Sequence, residues 1–300
     1  MIGRPKVRVT GRLKLMLSDA GRRHTDVRRT VKFSIVTVVL NNRDGFERTA
    51  KSVMAQRDVE YEWIVIDGGS TDGTLDVIDA YRESIAYWHS RRDDGIYDAM
   101  NEGLARASAD YVGFLNSGDC FADERSLSRV AQSAKSVSRS PAMILGGAVF
   151  EYPYGHRVLQ KPRRVEKYIR HSNPASHQAT FFDRRLHQQI PYDTTYRIVG
   201  DYDAICRVYV RDQSCSYVDD ALVIAQRGGA SFSHSHPLLH AKECIRVQQS
   251  VLRMGYGSIL QSAIRRARSY FAEYLMSRRR LAHVTWPIIR AVRTTLDRER

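Results

Sequence analysis

Short apolar runs alternate with stretches of helical period through the first half of the chain. Phe33–Leu40 (FSIVTVVL) is a nearly continuous β-branched run, as in a strand covered on both faces. Phe46, Thr49, Ala50, Val53 and Met54 then fall on one helical stripe. Tyr61–Ile66 predicts a second strand. Ser70, Thr71 and Asp72 are helix openers, with Leu75, Ile78 and Tyr81 behind them at helical spacing. Ser84–His89 reads as a short third strand. Ile96, Ala99, Met100, Gly103, Leu104 and Ala107 recur at i, i+3, i+4 and i+7, and Tyr111–Leu115 is a fourth strand. Strands alternating with helices in this way predict βαβ units, hence an α/β fold with a mostly parallel sheet.

The second half is less regular. Ala142–Tyr152 predicts a strand, Asn173–Asp183 a loop running into a strand, Asp201–Val210 a helix and Ser216–Ala225 another strand, followed by a turn over 227–231. From Leu239 the pattern is helical. Leu260, Ala263, Ile264, Ala267, Phe271, Tyr274 and Leu275 line one face, with Arg265, Arg266 and Arg268 off it. Pro287 interrupts a last basic piece, Trp286–Leu296. No internal repeat and no low-complexity linker is visible. The expected organisation is a basic tail over 1–32, one domain over 33–238 and an amphipathic helical region over 239–300.

Charge sharpens this division. The 300 residues carry +14, unevenly spread. Residues 1–32 hold ten Lys/Arg against two acids, and residues 241–300 hold thirteen against four. Basic ends attract phosphate-rich partners, and an anionic membrane surface fits the amphipathic C-terminal region. The alternative for these helices is packing on the domain or on a second copy of the chain, a homo-oligomer. The core lacks the aromatic–basic interleaving of a stacking platform, so no nucleic-acid partner is expected. The four cysteines form no CxxC pair, which argues against a zinc ribbon or disulfide scaffold and for a reducing cytoplasm. No run has the length of a signal h-region or a membrane span.

Three strand ends carry candidate chemistry. The first run ends in Asn41-Asn42-Arg43, the second in Asp67 followed by GGSTDGT, and the fourth in Asn116-Ser117-Gly118-Asp119. In open α/β sheets, the carboxyl edge of the strands is where ligands sit. Carboxylates and backbone N–H groups gathered there suggest a nucleotide-diphosphate and metal site. Asp119 is the candidate metal ligand; capping of a following helix is the plainer alternative. Asn116 offers a neutral oxygen beside it. Asp67 is placed to hydrogen-bond a base or ribose, while Asp72 suits a helix cap. Thr37 and Asn41 are candidates for backbone contact with the base. Asn101, inside a helix, suits a side chain holding a neighbouring loop. His234 and His236 form an HxH pair without an obvious third metal ligand.

With these residues in view, the chain resembles family 2 glycosyltransferases, which have the GT-A fold. The resemblance rests on FSIVTVVLNNRDGFERTAKSVMAQ, WIVIDGGSTDGT, DDGIYDAMNEGLARASADYVGFLNSGD, HQATFF and GDYD at Gly200–Asp203, and spans residues 33 to about 231. The wording of GIYDAMN and NSGD is similar to the branch that builds bacterial exopolysaccharide or O-chains. Two positions depart from the family pattern. Gly68 stands where many members have a second acid after Asp67, and Asn116-Ser117-Gly118 stands where many have further acids before Asp119. The resemblance implies inverting transfer of a sugar from a nucleotide-diphosphate sugar, with UDP favoured over GDP, and a divalent cation, manganese or magnesium. The implied acceptor is a saccharide or lipid-linked saccharide, at the inner face of the cell membrane. It places Asp94 over the nucleotide, His177 and Gln178 in the acceptor-side loop, and Asp201 as the general base, with Asp203 as runner-up. A nucleotide-binding protein without transferase activity is the alternative, motivated by the thinned acidic turn.

Overall fold

A computed structural model describes residues 30–152, 157–226 and 236–277, with side chains as far as 267. Four parallel strands form its first half: β1 (Lys32–Val39), β2 (Glu60–Asp67), β3 (Tyr87–Ser90) and β4 (Tyr111–Phe114). They lie in the order β3-β2-β1-β4. Between them run α1 (Arg43–Met54), α2 (Thr74–Ala80) and α3 (Ile96–Arg106). β1 alternates between two cores. Phe33, Ile35 and Val39 join Phe46, Trp63 and Ile78 on one face; Val36 and Val38 join Ile64, Met100, Leu104 and Phe114 on the other. This double burial is why the run reads as continuously apolar. α3 lies so close that a Cβ on Gly103 would stand 2.3 Å from a methyl of Val36.

The sheet then continues with antiparallel strands. β5 (Cys120–Phe121), α4 (Ser126–Lys135), β6 (Met143–Glu151), β7 (Arg157–Gln160) and α5 (Val165–Tyr168) lead to β8 (Thr180–Asp183). After it come α6 (Arg184–Gln189), α7 (Gly200–Arg211) and β9 (Cys215–Gln226). The full order is β3-β2-β1-β4-β8-β6-β9-β5, with β7 on β6. β8 runs antiparallel to both β4 and β6, whereas β6 and β9 are parallel. The mostly parallel sheet expected from the βαβ pattern is thus wholly parallel in its first half and mixed in its second. Helices flank both faces. The N-terminal tail to residue 29, the 227–231 turn, His234 and the Trp286–Leu296 piece lie outside the described residues.

The C-terminal helices are α8 (Pro237–Ser250) and α9 (Tyr256–Ser277). From Val31 onward the chain forms one compact unit that includes them. α9 packs differently from its apolar pattern. Its buried face is Ile259, Ser262 and Arg266, whereas Leu260 is 63% and Ile264 49% exposed. Arg266 is only 8% exposed and donates to Ser262 Oγ (2.9 Å), Gln248 Oε1 and the His171 carbonyl. Gln248 Nε2 donates to Ser262 Oγ and the Arg170 carbonyl. A satisfied polar network holds the helix down, and the apolar stripe faces outward.

Candidate active site

The first two strand ends are tied to each other. Asn41 adopts a left-handed backbone (φ 46°), which Asn tolerates better than most residues. Its N–H donates to Ser70 Oγ (2.7 Å) and its Oδ1 accepts from the Thr71 N–H (2.8 Å). Asp67 is fully buried at the end of β2. Its Oδ2 accepts from the Gly69 N–H, the Ser70 N–H and Ser90 Oγ at 3.0, 2.9 and 2.6 Å. Its Oδ1 is buried with no partner. A buried carboxylate oxygen left without a donor is costly, and a ligand N–H or O–H would relieve that cost. Asp72 accepts from the Thr74 N–H (3.0 Å) and hydroxyl, so it serves the first turn of α2, which opens at Thr74 rather than at 70–72.

Thr37 does not belong to the site. β1 continues two residues past it to Val39, and Thr37 is fully buried, its hydroxyl accepting from Trp63 Nε1 (3.0 Å). The expectation of a base contact there is corrected: the strand end sits at Val39–Asn41.

At the start of α3 the structure brings forward Asp93, which the sequence did not single out. Its Oδ1 accepts from the Gly95 N–H (3.0 Å). Its Oδ2 lies 2.7 Å from where a Cβ on Gly68 would be. Gly68 therefore makes room for Asp93 beside Asp67. Asp94 is exposed, with its N–H directed at Asp98 Oδ2 (3.3 Å).

Asn116 to Asp119 form a tight turn. The Asp119 N–H donates to the Asn116 carbonyl (3.0 Å), and Gly118 supplies the positive φ (99°) that a type II turn needs. Thr49 of α1 braces it, donating to the Asp119 carbonyl (2.7 Å) and accepting from the Gly118 N–H (3.0 Å). Asp119 is buried, and its Oδ1 accepts from the Gln226 N–H (3.1 Å) at the end of β9. Capping near α4 falls to Asp123, which accepts from the Arg125 N–H (2.9 Å). Asn116 Oδ1 is buried without a partner. Among the described residues no three His, Cys, Asp or Glu side chains form a metal cage. One carboxylate and one orphaned amide oxygen on the same turn instead fit a divalent cation that brings its other oxygens as phosphate and water.

A second group of residues is built around Asp201, in the first turn of α7. Asn173 Nδ2 donates to its Oδ2 (2.9 Å), and the Tyr202 N–H donates to its Oδ1 (2.8 Å). Burial pushes the Asp201 carboxyl up to about 6, against those two hydrogen bonds. Asp203 is engaged elsewhere, 2.6 Å from Arg207 Nε. Tyr97, in the first turn of α3, donates to the Ile198 carbonyl (2.9 Å), and its ring sits against Gly200, where a Cβ would be 2.8 Å away. The α3 end of the parallel sheet is thereby fixed to the turn that opens α7. Asn101 exchanges two hydrogen bonds with the Tyr192 backbone (2.9 and 2.8 Å), the loop-holding role its place in the helix implied.

His177 is a core residue, which corrects its expected contact with an acceptor or phosphate. It is buried, its Nε2 lies 2.7 Å from the Tyr192 hydroxyl, and its ring stacks on Phe114. Burial lowers it to about 4. His177 opens a short 3-10 turn, His177–Ala179, which packs the imidazole inward just before β8. Gln178 is partly exposed, and its Oε1 accepts from Ser176 Oγ (2.6 Å). His236 is exposed at the start of α8. A depression of about 490 Å³ lined by Asp44, Arg48, Lys51 and Cys120 runs along α1, and its lining includes none of the strand-end carboxylates.

The register gathers these groups on one edge. The ends of β1, β2, β3 and β4 point the same way, and antiparallel β8 brings its start, with the 173–178 segment, to that edge. The sequence family described as Glycosyl transferase family 2 matches residues 34–211, the stretch that supplies this edge. The chain belongs to glycosyl transferase family 2. An uncharacterized glycosyltransferase of Mycobacterium tuberculosis is 37% identical over 179 residues, 58% of this chain and 67% of that one. A PGL/p-HBAD biosynthesis glycosyltransferase of Mycobacterium bovis is 30% identical over 184 residues, 59% of this chain and 69% of that one. A glucosyl-3-phosphoglycerate synthase from M. tuberculosis, solved with Mn2+, UDP and glucosyl-3-phosphoglycerate, superimposes with a TM-score of 0.54 at 17% identity. That match covers 75% of this chain and 81% of the synthase. This family 2 glycosyltransferase thus has the GT-A fold that its motifs implied.

Proposed function

We propose that this glycosyltransferase moves a sugar from a nucleotide-diphosphate sugar to an acceptor hydroxyl with inversion, and that Asp201 is the general base. The observation that carries this reading is the Asp201 carboxylate. It is set at a helix start on the ligand edge, held by two donors, and poised near pH 6 by burial. A base with that affinity accepts an acceptor proton at neutral pH without being protonated in the resting state. Inversion needs one such carboxylate, not the pair of a glycosidase.

The donor is placed along the strand ends. Asp67 Oδ1 meets a donor group of the base or ribose, with Asn41 bracing the turn and Asp94 at the exposed rim of the nucleotide. UDP is taken over GDP from the motif resemblance; solved structures of the same fold hold UDP in the synthase and GDP-Man in a mannosyltransferase from Pyrobaculum calidifontis. Asp119 and Asn116 would hold a divalent cation, manganese or magnesium, whose charge would offset that of the leaving nucleotide. Gln178, partly exposed on the acceptor-side loop, touches the acceptor.

The acceptor is a saccharide or lipid-linked saccharide of cell-surface polysaccharide synthesis. Support comes from the relative named for PGL/p-HBAD biosynthesis and from the outer face of α9. Tyr256, Leu260 and Ile264 are 85, 63 and 49% exposed, beside the exposed Arg253 and Arg265. An apolar stripe flanked by arginines suits an anionic membrane surface. No helix among the described residues is long and apolar enough to cross a membrane. The test is transfer from a panel of UDP-, GDP-, dTDP- and CDP-sugars with manganese. Nucleotide binding with no turnover on any of them favours a binding protein instead.

A further inference from the structure

Glu243 is a buried acid on α8, outside the 34–211 stretch that the family shares. Only 7% of it is exposed. Its carboxylate accepts three consecutive backbone N–H groups: Arg197 to Oε1 (2.9 Å), and Ile198 and Val199 to Oε2 (3.0 and 3.1 Å). These amides lead directly into α7. The first turn of a helix leaves its N–H groups without intrahelical partners, and a carboxylate there is the favourable charge for the helix dipole. The same turn is held from the other side, where Tyr97 donates to the Ile198 carbonyl. Glu243 and Tyr97 thus fix the backbone two to four residues before Asp201.

We propose that Glu243 is a positioning residue for Asp201: the C-terminal helix clamps the turn that presents the base and sets the electrostatic field in which it takes up a proton. This role rests on Asp201 being the base. The groups that interact with Asp201 come from every element packed around it. They are Tyr97 of α3, Asn173 of the loop before β8, and Tyr192 of the segment after α6. Cys206 of α7, and Glu243 and Cys244 of α8, complete the set among the described residues. The two tyrosines and two cysteines are neutral near pH 6, since burial raises all four. Asn173 carries no charge, so Glu243 is the charged partner among them. Its negative charge reinforces the effect of burial, holding the Asp201 proton more tightly.

The test uses the full chain and its Glu243→Gln and Glu243→Asp variants. The Asp201 carboxyl is titrated by carbon NMR, and hydrogen exchange is followed over residues 197–199. UDP–manganese binding and the melting temperature serve as controls. In Glu243→Gln the Asp201 midpoint falls, by up to about half a pH unit. The three amides exchange at least about tenfold faster, with UDP affinity within about twofold of wild type. Glu243→Asp, which keeps the charge but is one methylene shorter, shows the faster exchange with a smaller titration shift. A folded Glu243→Gln protein with both readouts unchanged overturns the proposal. So does failure of both variants to fold with wild-type UDP affinity, because Glu243 is then a general structural residue. Turnover of Asp201→Asn tests the base assignment separately, and its outcome does not alter the two Glu243 readouts.

Discussion

Asn173 and Asp201 are 28 residues apart in sequence, yet the Asn173 amide donates to Asp201 Oδ2 at 2.9 Å. That hydrogen bond favours the charged form of the carboxylate and works against burial, the larger influence, which holds the carboxyl up at about 6. Replacing Asn173 by Ala therefore raises the Asp201 midpoint further. The acidic limb of the pH–rate profile moves to higher pH, and turnover at neutral pH falls by roughly twofold. A profile measured from pH 5 to 9 checks it; an acidic limb that stays in place or moves down contradicts it.

Asp67 is expected to govern donor affinity. Its Oδ2 already serves three donors, so the loss in Asp67→Ala combines a loosened turn with a lost ligand contact. Nucleotide affinity measured by calorimetry falls by about tenfold or more, on the order of 1–3 kcal/mol. Wild-type UDP affinity in this variant would remove Asp67 from the site.

Acid stability follows from two buried imidazoles. Burial lowers His177 to about 4 and, with the charge of His177 as a secondary cause, His187 to about 3, from an ordinary value of 6.5. An imidazole depressed in the folded state lets the unfolded chain bind the proton first, so stability drains away as pH falls below 6.5. Asp201 acts the other way. Its carboxyl is raised from 3.8, so its burial cost is present above about pH 6 and relieved as pH falls toward 3.8. Two histidine shifts outweigh one smaller carboxylate shift, and the net expectation is a loss of stability on acidification. Urea midpoints at pH 7.5, 6 and 5 should decline in that order, with a shallower decline in His187→Met. A flat or rising series contradicts the buried neutral assignment.

The outward face of α9 predicts membrane binding. Leu260→Glu combined with Ile264→Glu places two charges on positions that are 63 and 49% exposed, so folding stability changes by no more than about 0.5 kcal/mol. Sedimentation with vesicles rich in phosphatidylglycerol falls by at least about tenfold. Unchanged sedimentation means that the stripe is covered by something else, such as a second copy.

The parallel half of the fold was legible because β1 and β2 are buried on both sides and read as apolar runs. The strand-end turns were legible because Gly, Asp and Asn must appear there. In the second half the strands over 142–152 and 216–225 and the helix over 201–210 were legible as β6, β9 and α7, but the strand order was not: β8 is four residues long, and its antiparallel pairing with β4 and β6 leaves no local mark. Of the proposed site, the turns that hold their own polar groups were legible, at Asp67 and at Asn116–Asp119. It was not legible where partners come from far along the chain. Asn173 has only a following proline to mark it as a loop residue, and Glu243 sits in an ordinary helical pattern. α9 misled because periodicity locates an apolar face without saying what covers it, and here Arg266, Ser262 and Gln248 form the packed side.

The most direct measurement is transfer of sugar from a manganese-loaded UDP-sugar by wild-type and Asp201→Asn proteins, with UDP binding measured in parallel. Asn173 has an unpartnered buried Oδ1, so its amide can turn over and accept from the new side chain, and the variant stays folded. The prediction is a loss of turnover of at least about a hundredfold with UDP affinity unchanged. Full turnover in the folded variant would contradict Asp201 as the base and with it the reaction proposed for this site.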